Sequence, residues 1–459
     1  MPEIYRTIQI RLKLDELERQ GLEFICQQAN SLVNCSVYAV RQGYFMLGGT
    51  GMVRPDYPSL DVWMKQLENP HYRGVAAQAA QQVLKGVVES FSSFDKLLEK
   101  FWQGDVEKPK LPGYRKKGGL AAISFPAQAL QFDIETGLCR LPLGKIASLE
   151  SGIDSIWVQG AWVIKIEQIS EVRILPRNGE FYAEYVYKAT GLQAKYNLDP
   201  TQALGIDHGV GNWLTCVSSL GKSFIIDGYK VKSVNQLYNK RVATLKTGKN
   251  RNYWDTELAR LSEKRNRQMR DAVNKTARFI VNHCLANSLG TVVFGWNEGN
   301  KDGASMGKKN NQEFVQIPTA RLKQRIQELC EEYGIQFVET EESYTSKASF
   351  LDGDELPTFG EKPEWYKPSG KRVKRACFPG EASPGNTARG MYRTAAGFLI
   401  NADCNGAANI LKKVSIQLGL DLAKVCRGVL NLPQRYNLFS SLTKSYRRRS
   451  EAARFQPAA

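Results

Sequence analysis

Residues 204–217 read LGIDHGVGNWLTCV, and the rest of the chain is best understood by working outward from them. Apolar residues flank a glycine-rich turn, which predicts two buried strands joined tightly. Asp207 stands where the first strand ends. Because one carboxylate does little chemistry alone, this position predicts acidic partners elsewhere in the chain.

The segments after this stretch follow an ordered pattern. GKSFIIDGYKV (221–231) predicts a third strand in meander order. Further elements are predicted as a helix over 253–288, a strand over 291–297, a helix over 317–334, a strand over 335–342 and a last helix beginning in NADCNGAANILKK, 401–413. This order is typical of an RNase H-like fold, in which parallel strands with crossover helices follow a hairpin meander.

Asp403 is the first candidate partner of Asp207. Two-metal phosphodiester hydrolysis needs acidic ligands around ions about 3.5–4 Å apart. Asp403 lies where the last helix begins, and the small residues around it would let that helix pack close to a sheet: Ala402, Gly406, Ala407 and Ala408. The alternative is that Asp403 only caps the helix.

The first 200 residues have a different pattern. IYRTIQIRLKL (4–14) alternates as a strand, helical spacing follows over 15–45 and 72–102, and 121–200 is rich in strands. The second helical segment carries one apolar stripe, which we interpret as core: Val75, Ala79, Val83, Val87, Phe91, Phe94, Leu98 and Trp102. The strands predict a β-barrel or sandwich with the helices inserted into it.

A basic loop, EKPKLPGYRKKGG (107–119), separates the helices from the strands. Its basic and aromatic side chains suit phosphate contact and base stacking: Lys108, Lys110, Tyr114, Arg115, Lys116 and Lys117. The alternative is a solvated surface loop.

Composition favours a polyanionic partner. The 459-residue chain has a formal net charge of +17, which is typical of nucleic-acid-binding proteins. Nine scattered cysteines without a CxxC pair suggest reduced, mostly buried thiols. No run of about 18 apolar residues and no signal peptide are found in the sequence, so we expect no membrane association and a cytoplasmic protein.

Three motifs together resemble one family. GIDHGVGN and INADCNGAANILKK look like the first and third RuvC motifs of transposon-encoded TnpB proteins and compact type V CRISPR effectors, and ESYTSKAS (342–349) resembles the signature before their target-nucleic-acid-binding insert. The resemblance implies an RNA-guided DNA endonuclease. It also implies a guide RNA, transposon-derived or CRISPR-derived, a double-stranded DNA target beside a short flanking motif, two Mg²⁺ ions at one RuvC site and association with the nucleoid of a prokaryote.

The resemblance also implies a division of the chain. We expect an α+β multidomain protein, in which a β-barrel wedge domain with an inserted helical recognition domain precedes an RNase H-like RuvC α/β domain with an insert. The predicted boundaries are 1–14 and 121–200 for the wedge, 15–120 for the recognition domain, 201–342 and 394–420 for RuvC, 343–393 for the insert and 421–459 for a basic tail.

The chain departs from the family at the second RuvC motif. Gly295 stands where a glutamate is expected in TVVFGWNEG. The next strand should run parallel and adjacent, so its acidic end could supply the missing ligand. We favour Glu342, then Glu341, then Glu298, and predict that Asp207, Glu342 and Asp403 are the catalytic and metal-binding residues. A solvated acidic strand end is the alternative.

The insert is the second departure. It lacks the paired cysteines that hold zinc in the family, so no zinc is expected. Residues of the YTSK signature and of GKRVKRACFPG are predicted to contact nucleic acid: Tyr344, Thr345, Ser346, Lys347, Lys371, Arg372, Lys374 and Arg375. A charged hairpin is the alternative for the second group.

The sequence is compatible with three functions. The first is an active RNA-guided nuclease. The second is a nuclease-dead RNA-guided DNA-binding protein that represses transcription or recruits a transposition partner, which Gly295 favours. The third is a DNA-joining transposase that needs no RNA.

Overall fold

The computed structural model describes residues 4–46, 55–160, 164–189, 196–297, 317–358, 360, 363, 364, 366–373 and 390–438. The chain divides into two compact units, residues 1–190 and 191–459. Each unit has its own hydrophobic core.

The first unit contains two antiparallel sheets among its described residues. Strand β1 (Ile4–Arg11) pairs with β7 (Glu180–Ala189), which pairs with β6 (Ile169–Arg177), and β6 pairs with β2 (Ile123–Pro126). The second sheet contains β3 (Gln131–Asp133), β4 (Leu138–Pro142) and β5 (Ser155–Gln159). The N-terminal strand β1 therefore pairs with residues 171 to 185 positions later in the sequence, from Arg11 with Tyr182 to Ile4 with Ala189.

The helices of the first unit lie between β1 and β2, with one more between β4 and β5. They are α1 (Glu16–Met46), α2 (Tyr57–Gln66), α3 (Pro70–Arg73), α4 (Ala77–Trp102) and α5 (Lys145–Ser151). The predicted stripe of α4 is buried from Ala79 to Phe94. Its last member was predicted wrongly, because Trp102 ends the helix with 74% of its surface exposed.

The second unit is built on a six-stranded sheet. Its strands, in chain order, are β8 (Asp199–His208), β9 (Asn212–Ser218), β10 (Lys222–Asp227), β11 (Leu289–Gly295), β12 (Gln336–Thr340) and β16 (Gln434–Tyr436). The spatial order is β12-β11-β8-β9-β10-β16. The β8–β9–β10 meander is antiparallel, and β11 and β12 run parallel to β8, as the sequence predicts.

Helices cover both faces of this sheet. They are α6 (Tyr229–Lys246), α7 (Thr256–Ala286), α8 (Thr319–Tyr333), α9 (Ala402–Leu418) and α10 (Arg427–Asn431). Side chains of α7 and α8 share a core with Leu204 and Ile206, whereas α9 shares a core with Ala203. Because side chains alternate along a strand, residues 203, 205 and 207 of β8 face α9.

Two elements of the second unit differ from the sequence prediction. The sequence predicts only one helix between β10 and β11, but α6 precedes α7. The predicted C-terminal tail begins at residue 421, yet α10 and β16 lie within it, and β16 pairs with β10 in parallel. Part of the predicted tail is therefore a helix and a strand of the second unit, and the triple arginine at 447–449 lies outside the described residues.

Two strands of the insert form a small antiparallel sheet with the strand that follows the insert. The sheet contains β13 (Lys371–Arg372), β14 (Met391–Arg393) and β15 (Leu399–Asn401). Strand β15 runs directly into α9, so the sheet is attached to the start of that helix. This attachment carries Arg372 toward the residues that begin α9.

Small residues allow α9 to lie close against the sheet, as predicted. A Cβ atom at Gly205 would stand 2.7 Å from the Ala407 carbonyl oxygen, and one at Gly406 would stand 2.8 Å from Asp207 Oδ2. The predicted fold class is confirmed: the protein is a mixed α+β chain with several sheets and an RNase H-like second unit. Among the described residues, no helix is both long and apolar enough to cross a membrane.

Candidate active site

Asp207 occupies the end of β8 on the face covered by α9. Its carboxylate fills the space that Gly406 leaves open. Burial raises the pKa of Asp207 well above its ordinary value, and the neighbouring carboxylates of Asp403 and Glu342 raise it further, whereas the Arg372 guanidinium and a backbone hydrogen bond from His208 oppose the shift. Crowded carboxylates of this kind are stabilised by a bound cation.

Asp403 is not the cap of its helix. Asn401 is the N-cap, and its Oδ1 accepts hydrogen bonds from the Asp403 and Cys404 backbone N–H groups at 3.0 Å each. The Asp403 carboxylate is therefore available for other contacts. Its Oδ2 accepts a hydrogen bond from Asn212 Nδ2 at 2.7 Å, and its Oδ1 forms a 2.7 Å ion pair with Arg372.

Gly295 stands beside Asp207 in the sheet. Phe294 pairs with Ile206, so Gly295 is the next position along the same ladder. A Cβ atom at Gly295 would lie only 2.4 Å from Ile410 Cδ1. Ile410 of α9 therefore fills the space in which a side chain at position 295 would lie.

Glu342 lies two residues beyond the end of β12, at the sheet edge where β11 also ends. Its backbone N–H donates to Asn297 Oδ1 at 3.0 Å, and its carboxylate lies 3.8 Å from His208 Nε2. Glu341 instead forms a 2.5 Å ion pair with Lys413.

The other acidic candidates near this edge differ in position. Glu339 forms a 2.6 Å ion pair with Lys323, on the surface of α8. Glu298 lies outside the described residues. Of the three glutamates at the end of β12, Glu342 is the one that lines the same cavity as both aspartates.

This cavity has a volume of about 640 Å³. Its acidic members are Asp207, Glu342 and Asp403, and Arg372 and Arg435 also line it. Oxygen ligands of this type suit Mg²⁺. In the part of the chain that the structure describes, no three acidic, histidine or cysteine side chains are already arranged as a metal cage.

The YTSK signature forms a turn directly after Glu342. Thr345 and Ser346 line the cavity. Tyr344 has a left-handed backbone with a φ of 65°, a conformation that non-glycine residues adopt at an energetic cost and that often marks functional sites. The Lys347 ammonium group lies 5.7 Å from the centre of the Tyr344 ring.

The predicted nucleic-acid clamp of the insert is only partly described. Lys371 and Arg372 form the exposed strand β13, whereas Lys374 and Arg375 lie outside the described residues. Arg372 contacts Asp403, and this contact was not predicted from the sequence.

The basic loop lies in the first unit and is held there by α1. The Asn34 side chain donates to the Arg115 carbonyl at 3.1 Å and accepts from its N–H at 2.7 Å, and Asn30 donates to the Lys116 carbonyl at 3.0 Å. All six predicted side chains of this loop belong to exposed residues. The Arg41 guanidinium lies 5.2 Å from the ring centre of Tyr114.

Sequence reasoning missed several residues around the cavity. Asn212, Asn297 and Arg435 received no role, although Asn212 belongs to the GIDHGVGN motif itself. Arg435 Nη1 donates to Asn212 Oδ1 at 3.1 Å, so Arg435 is linked to Asp403 through the Asn212 side chain. The available signal was Asn212, a polar side chain at the start of strand β9, whose other residues are all buried.

Comparisons with known proteins give two sequence matches. Residues 185–300 match a family described as "Probable transposase", OrfB_IS605, and residues 320–410 match the "Cas12f1-like, TNB domain" family. The resemblance to the TnpB and compact type V effector family is confirmed. The first match includes Asp207, and the second includes Glu342 and Asp403. No curated protein is similar enough in sequence to count as a match.

Two solved structures illustrate what this chain is similar to. A Cas12f1–sgRNA–target DNA complex has a TM-score of 0.51 and 14% identity, over 89% of this chain and 98% of that one. The mini-RNA-guided endonuclease CRISPR-Cas_phi3 has a TM-score of 0.47 and 9% identity, over 89% of this chain and 92% of that one. The first of these supports the fold.

Proposed function

We propose that this protein is an RNA-guided DNA endonuclease that hydrolyses phosphodiester bonds at one RuvC site formed by Asp207, Glu342 and Asp403. The observation that carries the proposal is the convergence of these three carboxylates, from two strand ends and one helix start, on a single cavity. The two family matches, which include all three of these residues, support the same conclusion.

The residues of the cavity fit Mg²⁺. The three carboxylates supply hard oxygen ligands. Burial and, after it, the neighbouring carboxylates of Asp403 and Glu342 raise the pKa of Asp207, and a bound cation would neutralise this crowded negative charge. Two bound Mg²⁺ ions would supply a deprotonated water as nucleophile and would stabilise the leaving oxygen. Glu342 and both aspartates would hold them.

Neighbouring side chains orient these ligands. Asn212 holds Asp403, Asn297 holds the backbone of Glu342, and Arg372 must release Asp403 Oδ1 before that atom can bind a metal. Arg372 and Arg435 then lie on the cavity wall, where their charges suit the phosphates of a nucleic-acid strand.

A guide RNA and a double-stranded DNA target are the proposed partners. The net charge of +17 and the exposed basic loop suit binding of a large polyanion. The matched Cas12f1 structure is a complex with an sgRNA and target DNA, and we extend both partner classes to this chain. The guide derives from a transposon end or from a CRISPR array.

Guided DNA binding without cleavage is the second candidate function. Both carboxylate oxygens of Asp403 are engaged, by Asn212 and Arg372, and Gly295 provides no carboxylate. A protein with these features can bind a matched target while lacking metal at the site.

The test is cleavage of a linear duplex by the purified RNA–protein complex in Mg²⁺. The protein is produced together with its flanking DNA so that the bound RNA can be sequenced, and the duplex carries a matched target beside a randomised flank. The variants are Asp207→Asn, Glu342→Gln and Asp403→Asn, with Glu341→Gln as the matched control and Glu298→Gln as the competing ligand. Loss of one ligand should reduce cleavage by about 10²–10³-fold, a magnitude typical of removing one group that stabilises charge in the transition state.

The outcomes separate the candidate functions. Cleavage by the parent and by Glu341→Gln and Glu298→Gln, but not by the other three variants, supports the proposed site. Loss of cleavage in Glu298→Gln with retention in Glu342→Gln would move the third ligand to Glu298. Guide-dependent binding without cleavage by the parent would leave the second candidate. Strand joining without RNA would indicate a transposase.

A further inference from the structure

Helix α9 presents two different rows of side chains. Asp403, Gly406 and Ile410 lie at i, i+3 and i+7, and this row faces the sheet next to Asp207 and Gly295. A second row, Asn405, Asn409 and Lys413, is spaced by four residues. This second row contacts residues 341–350, the chain that leaves β12 and carries Glu342.

The second row holds this chain by hydrogen bonds between buried groups. Asn405 Nδ2 donates to the Ala348 carbonyl at 2.7 Å, and Asn405 Oδ1 accepts from the Phe350 N–H at 3.0 Å. Asn409 Nδ2 donates to the carbonyls of Thr345 at 2.8 Å and Ala348 at 2.9 Å. Both asparagines are fully buried. The held segment is a turn, so these side chains satisfy carbonyl groups that a strand partner would otherwise satisfy.

Two hydrogen bonds from Thr345 connect the asparagines to Glu342, and the longer one runs from the Thr345 backbone N–H to the Glu342 carbonyl at 3.3 Å. The Thr345 hydroxyl donates to the Glu342 carbonyl at 2.8 Å, and the carbonyl of the same threonine accepts from Asn409. Asn409 follows Asp403 by six residues on one helix, a rise of about 9 Å along a rigid element. Helix α9 therefore carries the Asp403 carboxylate directly and reaches the backbone of Glu342 through Asn409 and Thr345.

We propose that Asn409 is a positioning residue that sets the Glu342 carboxylate against Asp207 and Asp403, with Thr345 as the link. The inference rests on the proposed function, in which Glu342 is a metal ligand. Residues that orient ligands without touching the metal typically change metal affinity by about 10–100-fold when they are removed. A role in fold stability alone predicts no such change.

The experiment is a double-mutant cycle on Mn²⁺ affinity, measured on the full chain without nucleic acid by the spin-resonance signal of free Mn²⁺. The cycle compares the parent, Asn409→Ala, Glu342→Gln and the double variant. We expect each single change to weaken Mn²⁺ binding by about 10-fold or more. The double variant should bind within about two-fold of Glu342→Gln, because Asn409 acts through a ligand that is already lost.

Two further variants guard against a merely structural effect. Thr345→Val removes the hydroxyl link without altering α9, and it should reproduce the loss of affinity, whereas Thr345→Ser should restore it. Asn235→Ala is the matched control. Asn235 is buried in the same unit and accepts from Arg265 Nε at 2.8 Å, but it does not line the cavity. It should lower the unfolding midpoint and leave Mn²⁺ affinity unchanged.

The cycle distinguishes failure of the positioning role of Asn409 from failure of the proposed ligand role of Glu342. If Asn409→Ala and Glu342→Gln weaken Mn²⁺ binding independently, so that their losses multiply, Asn409 does not act through Glu342 and the inference is overturned. It is equally overturned if Asn409→Ala and Thr345→Val both keep the parental affinity. If Glu342→Gln itself keeps the parental affinity, the assignment of Glu342 in the proposed function fails, and the positioning role fails with it.

Discussion

The Ile410 side chain fills the space in which a side chain at position 295 would lie, and this packing can be tested by changing the size of both residues. Gly295→Ala adds one methyl group that would stand 2.4 Å from Ile410 Cδ1 and 3.1 Å from its Cγ1. Overpacking of this degree in a buried strand costs about 1–3 kcal/mol of unfolding free energy. Ile410→Val removes the Cδ1 atom and alone costs about 0.5–1.5 kcal/mol.

The double variant should lose less unfolding free energy than the two single variants lose together. In Gly295→Ala/Ile410→Val the added methyl group occupies the volume that the removed one vacates. The double variant should therefore lose no more than about 1 kcal/mol, which corresponds to a coupling energy of roughly 1–3 kcal/mol between neighbouring residues.

The assay is urea unfolding of the full chain, followed by tryptophan fluorescence, with Trp213 fully buried in β9 of the same sheet. Gly86→Ala is the matched glycine control, because a Cβ atom there would have no heavy atom within 4 Å. That change in helix α4 should raise stability slightly. If the Gly295 and Ile410 effects add within about 0.5 kcal/mol, Ile410 does not occupy the space beside Asp207, and this explanation for the missing glutamate is wrong.

Three further predictions concern the cavity. Arg372→Gln should tighten Mn²⁺ binding several-fold by removing the cation that pairs with Asp403, and calorimetric titration that finds equal or weaker binding would contradict this. Burial raises the native-state pKa of Asp207 above its ordinary value of 3.8, so the metal-free protein loses stability as pH rises from about 4 through the native pKa. Asp207→Asn should therefore be more stable than the parent in a chelating buffer, with a difference in unfolding free energy that grows with pH; a constant difference would argue against the shift. Gly406→Ala would place a methyl group 2.8 Å from Asp207 Oδ2 and should reduce guided cleavage at least 10-fold, whereas unchanged cleavage would show that the carboxylate can move aside.

Patterning along the chain was sufficient to predict most of the second unit. The meander, the two parallel strands and the last helix follow from runs of buried apolar residues separated by turn residues. Helix α6 escaped detection because it is polar, with only Val231 and Asn235 buried, so its apolar spacing is weak. Strand β16 escaped because it is three residues long and its sequence, QRY, has no strand pattern.

The site residues that could be predicted from the sequence are those in a recognisable motif or at the end of a predicted parallel strand. Asp207 and Asp403 lie in motifs, and the parallel pairing of β11 and β12 brings Glu342 to their edge. Asp403 contacts Asn212, which is 191 positions away in the sequence, and Arg372, which is 31 positions away. No local sequence pattern indicates contacts at these separations. The filling of Gly295's space by Ile410 likewise depends on how closely α9 packs on the sheet.

The parallel pairing of β16 with β10 has a consequence for folding. Phe224, Ile225 and Ile226 of β10 pair with residues 434–436, which are among the last described residues of the chain. Until that segment is synthesised and docks, β10 is an apolar edge strand with exposed hydrogen-bonding groups, the kind of surface on which chains aggregate. A chain cut after α9 would keep all three carboxylates and still expose this edge, so insolubility of such a fragment would reflect an unprotected strand rather than a damaged catalytic centre.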